Sequence, residues 1–118
     1  MPTLPDIKGP DRQKPLCYDP NRDLFIKFDD LITGKEQIIP IESLTHDQLK
    51  KLIVERNRVG PDYTMSTLTG KTYTRDDVIK EIIEQTDFGK MAVEAEAMHL
   101  SDLLKQIEEA LLAFSKKC

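Results

Sequence analysis

Three short patterns in this chain carry the residue types of known chemistries, and each lacks a part that its chemistry needs. Thr69-Gly70-Lys71-Thr72 reads like the tail of a phosphate-binding P-loop, but the glycine required five residues before the Gly-Lys pair is Met65. A loop without it cannot wrap its amides around a phosphate, so a turn ahead of a capped helix is expected here. Asp87-Phe88-Gly89 matches a kinase tripeptide in a chain of 118 residues. That length has no room for the glycine-rich lobe, the strand lysine or the catalytic loop, so the tripeptide reads as a helix break. Glu96 and His99 have the i, i+3 spacing of carboxylate-bridged metal sites in helix bundles. Such sites need two copies and further glutamates. One copy is present, and a solvated His99 between Glu96 and Asp102 is the expectation unless a symmetric dimer supplies the second.

Histidine and cysteine are too few for the remaining options. His46 follows a capping threonine and is expected to be exposed in a first helical turn. Two histidines and two cysteines, Cys17 and the terminal Cys118, assemble neither a zinc cluster nor a Cys-His nucleophile pair. A disulfide between segments so far apart is not expected either. The sequence therefore predicts no catalytic set, no cofactor and no metal site.

Charge offers one further candidate. Lys50, Lys51, Arg56 and Arg58 oppose only Asp47 and Glu55 between residues 45 and 60, which marks a basic helix suited to partner contact. The whole chain has a net charge of −4 and a pI near 5.2, the reverse of a duplex binder. Nucleic acid is thus the weaker expectation, as a regulator that would set the basic helix 45–59 against phosphate.

The elements that would position these residues follow from pattern. Five of the seven prolines (Pro2, Pro5, Pro10, Pro15 and Pro20) fall in the first twenty residues, which predicts a Pro-rich extended arm over 1–21. An arm without apolar periodicity should be dispensable for folding, unless Leu16, Cys17 and Tyr18 dock it on a neighbour. Residues 22–118 then form a single small hairpin-plus-helices domain. Leu24, Ile26 and Phe28 alternate as a half-buried strand does, and Ile38, Ile39 and Ile41 offer its partner beyond the turn at Thr33-Gly34-Lys35. Thr45 with Gln48 forms a capping box for a helix over about 45–59, closed by a left-handed cap at Gly60 before Pro61. Thr74 with Asp77 repeats the device for a second short helix. Segments 43–56 and 72–85 align at a fixed offset, which hints at duplication, although shared capping chemistry accounts for most of it.

Beyond Gly89 a third helix is expected over about 90–115. Val93, Ala97, Leu100, Leu104, Ile107, Leu111 and Phe114 alternate steps of four and three along it, the mark of a helix-helix seam. A rod of about 39 Å outruns two helices of roughly 20 Å, so the seam is expected to form a subunit interface. The fold class is α+β, mostly α: an N-terminal extended arm, a β-hairpin, two short capped helices and a long amphipathic C-terminal helix. Hydrophobic residues at 39% and charged residues at 32% suit amphipathic helices. The start lacks an apolar leader and no apolar run approaches the ~18 residues of a membrane span. The functional expectation is a non-enzymatic cytoplasmic adaptor, assembly or regulatory protein, homo-oligomeric through its last helix and bound to a protein partner.

Overall fold

The computed structural model describes residues 4–116, with side chains through Ala113. It bears out the α+β class: β1 (Pro15–Asp19), β2 (Leu24–Lys27), α1 (Phe28–Ile32), α2 (His46–Val59), β3 (Thr64–Ser66), β4 (Thr72–Thr74), α3 (Arg75–Glu84) and α4 (Asp87–Lys116). Short 3-10 turns occupy Gly9–Gln13 and Ile41–Ser43. Among the described residues no helix is long and apolar enough to cross a membrane.

The expected arm is the first correction. Pro15–Asp19 pairs antiparallel with β2 in the register Cys17↔Ile26, Tyr18↔Phe25 and Asp19↔Leu24, and Leu16, Cys17 and Tyr18 are all buried. A boundary at residue 21 therefore cuts through a core hairpin. The signal lay in an uninterrupted apolar run, which marks a strand buried on both faces, followed by Asp19-Pro20, a common opening of a β-turn. In that turn the Asn21 amide donates to the Asp19 carboxylate at 3.0 Å, and Asp23 adopts a left-handed φ of 49°. Ile38, Ile39 and Ile41 consequently do not pair with β2. Ile38 and Ile39 pack on the core from coil, and buried Ile41 opens a 3-10 turn.

Both predicted capping boxes are present. Thr45 accepts from the Gln48 amide while Gln48 accepts from the Thr45 amide, and Thr74 and Asp77 exchange the same pair of bonds. The helix ends differ from expectation. Gly60 is extended at φ −69°, because proline after it disfavours the helical and left-handed wells, and the left-handed cap is instead Gln85 at φ 55°. Asp87-Phe88-Gly89 is the first turn of α4 rather than a break. The break falls at Gln85-Thr86, where the Thr86 hydroxyl accepts from the Gly89 amide at 3.1 Å. Gly89 serves packing, since a Cβ there would lie 1.9 Å from the carbonyl oxygen of Glu81 at the end of α3.

Duplication gains no support from the local structure. Thr33-Gly34-Lys35 follows a helix, whereas Thr69-Gly70-Lys71 turns a hairpin, and the two share only a glycine with positive φ. Two cores result. One joins β1, β2, α1, Ile41 and Leu52 to Leu100, Leu104 and Ile107 of α4. The other joins Ile53, Val54, Tyr73, Val78 and Ile82 to Val93.

Candidate functional site

The predicted interface residues lie largely inside the chain. Val93, Leu100, Leu104 and Ile107 are each no more than 4% exposed, while Ala97 and Leu111 are half-buried. Phe114 lies outside the residues whose side chains are described, as does Cys118. The seam is thus core, not a free surface. The length argument for an interface failed because β1, β2, α1 and Ile41 supply the cover that two short helices could not.

The basic candidates are also dispersed. Arg56 is 6% exposed: its Nε donates to Glu96 at 2.9 Å and its Nη1 to the carbonyl of Pro15 at 2.8 Å. It is an internal brace between α2, β1 and α4, spaced on the helix so that it meets the core rather than solvent. Lys51 bonds Asp23 at 2.6 Å and the Tyr18 hydroxyl at 3.3 Å. The lysine and the Tyr18 hydroxyl hold the Asp23 carboxyl below its ordinary pKa, and Asp23 in turn raises that of Lys51. Lys50 is half-buried and Arg58 is exposed beside Glu55 at 3.7 Å. Of the four cations expected to make the basic helix a contact surface, two, Lys50 and Arg58, are left without a strong partner within the chain.

The motifs resolve as turns and surface. Thr69-Gly70-Lys71 closes the β3–β4 ribbon, where the Thr67 amide donates to the Lys71 carbonyl at 2.8 Å and Gly70 takes φ 86°. Leu68 at the tip is fully exposed. His46 bonds Gln85 at 2.6 Å across the start of α2 and the end of α3, and His99 is exposed. Among the described residues no group of three potential ligands could hold a metal. Cys17 has no exposed surface, and burial raises its thiol to about 11, against a weaker opposing bond with the Ile39 backbone. It is a protonated, shielded thiol rather than a nucleophile.

The surface that remains is the outer face of α4, opposite its buried stripe. Met91 and Met98 are 64% and 71% exposed, and exposed Ala95 lies between them at steps of four and three. These positions bring one methionine above the other on a single face. A concavity of about 310 Å³ flanks the line on one side, lined by Tyr63, Met65, Phe88, Met91 and Ala95. One of about 450 Å³ flanks it on the other, lined by Leu49, Val93, Ala97 and Met98, with His46 and Lys90 at its rim. The sequence held a signal for this face: Met91, Ala95 and Met98 form a second apolar line offset from the seam. The stronger seven-residue repeat masked it. No family model, curated protein or solved structure matches this chain.

Proposed function

We propose that this chain is a non-enzymatic association protein of the cytoplasm, and that the outer face of the first half of α4 is its contact surface for a second copy. The observation that supports this reading is the exposed line Met91-Ala95-Met98 between two apolar concavities. Methionine is unbranched and polarizable, suited to a contact that must repack on assembly, and alanine lets a partner helix approach closely. The unpaired thiol of Cys17 suits a reducing compartment.

Magnitudes set the strength of the contact. Covering one methionine is worth about 1.5–3 kcal/mol, and a symmetric pair covers four of them. Association costs about 4–15 kcal/mol, so the assembly is weak and concentration-dependent. The nucleic-acid reading loses ground because Arg56 and Lys51 are engaged within the chain.

Sedimentation equilibrium across protein concentration tests the proposal. The parent should self-associate reversibly, and Met91→Glu with Met98→Glu should be monomeric with unchanged circular dichroism. A parent that stays monomeric at every concentration, or a double variant that associates as the parent does, overturns it.

A further inference from the structure

A cleft of about 440 Å³ lies on another side of the molecule, between the N-terminal segment and α4. Ile7, Leu16 and Leu103 give it apolar walls, with Arg56, Lys14 and His99 among the polar groups around them. Its volume falls within the range of small-molecule sites, about 300–1,000 Å³.

Arg56 distinguishes this cleft from an accidental surface hollow. The side chain is more than nine-tenths buried, yet only Nε and Nη1 hydrogen-bond to described residues. Nη2 makes no hydrogen bond to any described residue, and it is not among the polar atoms sealed from solvent. Arg56 lines the cleft, and Nη2 is the guanidinium nitrogen left without a bond to a described residue. His99 stands one helical turn from Glu96 on the same wall, also without a protein partner among the described residues, and an imidazole N–H can donate in either protonation state.

The other charges of the lining select the ligand. Lys8 pairs with Asp6 at 3.2 Å, Lys14 with Asp11 at 3.1 Å and Arg56 with Glu96 at 2.9 Å, so the cleft is formally neutral. Every cation of the lining is already matched by a carboxylate, so a dianion such as a phosphomonoester would keep a charge that nothing there offsets, whereas a single carboxylate can take the two donors left over. We infer that the cleft binds a monocarboxylate with an apolar chain, its carboxylate on Arg56 Nη2 and His99 and its chain along Ile7, Leu16 and Leu103. Glu96 also lines the concavity beside Met91, but the site lies off the Met91-Ala95-Met98 line and does not depend on association there.

Octanoate is a suitable probe, titrated into the full chain and followed by amide chemical shifts, with octanol and octyl phosphate as comparators. Octanoate should saturate shifts around Leu16, His99 and Leu103 and bind about tenfold more tightly than either comparator, since a charge-assisted bond is lost in one and a second charge is left unmatched in the other. His99→Gln, an exposed position, should keep the fold and weaken octanoate several-fold. Arg56→Gln should abolish binding if it folds, and the His99 variant decides the matter if it does not. Octanol binding as tightly as octanoate, shifts centred on Met91 and Met98, tighter binding of octyl phosphate, an unaltered affinity in His99→Gln, or no saturation by octanoate would each overturn the inference.

Discussion

The core around β1 and β2 draws on residues from Leu16 to Ile107, nearly the whole length of the chain, whereas the core around α3 draws only on residues from Ile53 to Val93. Both use α2 and α4 as shared beams: Leu52 and Leu100 serve the first, Ile53 and Val93 the second. Their hairpins differ accordingly. β1 is buried along four consecutive residues, while β3 is exposed at all three and β4 buries only Tyr73. The first hairpin is structural because its apolar residues are continuous. The second alternates Thr and Ser with Met and Tyr and so keeps one face in water. A two-stranded ribbon is marginal by itself, so its tertiary partners decide its stability.

The largest test of this contrast is removal of residues 1–20. It takes away β1 and three fully buried side chains worth about 1.5–3 kcal/mol each, a large share of the 5–15 kcal/mol that holds a small domain together. We expect loss of the cooperative thermal transition by circular dichroism. A truncated chain that melts near the parent's midpoint would return β1 to the status of an appended arm.

Gly89→Ala probes the second core with a substitution that ordinarily stabilises a helix by about 1 kcal/mol. Here the added methyl meets backbone at the end of α3, and neither partner is a side chain that can swing away. A loss of about 1–3 kcal/mol is expected in chemical denaturation. A gain would show that α3 and α4 separate freely at that point.

Thr45→Ala and Thr74→Ala compare the two cores at equal chemistry, since each removes one side-chain acceptor from a capping box. Each should cost about 1 kcal/mol in denaturation experiments. Hydrogen exchange then separates them: the Thr45 variant should loosen amides in both cores, because α2 serves both, and the Thr74 variant only those of the second.

The smallest effect is electrostatic and belongs mainly to the first hairpin. Arg22 bonds both Asp19 and Glu36, and these bonds hold the two carboxyls below their ordinary values of 3.8 and 4.5, as Lys51 does for Asp23. A carboxyl lowered in the folded state contributes stability above its unfolded value, and that contribution fades as pH falls through the lowered folded value. Stability should therefore drop below about pH 4, and Arg22→Met should flatten the drop. Because Arg22, Lys51 and Asp23 are exposed and Asp19 and Glu36 only partly buried, the slope is modest and shrinks further in high salt. An identical acid profile in the variant would remove these pairs from the account.

What the sequence determined alone was local. Thr45 with Gln48 and Thr74 with Asp77 set two helix starts, because a cap is decided within four residues. The unbroken apolar spacing from Val93 to Ile107 set a long amphipathic helix for the same reason. Sequence also held the turn at Asp19-Pro20 and the second apolar line of Met91, Ala95 and Met98, both legible once the competing patterns of proline content and heptad spacing are set aside. Only the tertiary structure decided what each apolar face meets. That β1 pairs with β2, that the seam is covered by β1, β2, α1 and Ile41, and that Arg56 turns inward to Glu96 and Pro15 are contacts between residues far apart in the chain. Periodicity gives the direction of a face but not its partner, since apolar burial is non-directional and any surface of fitting shape satisfies it.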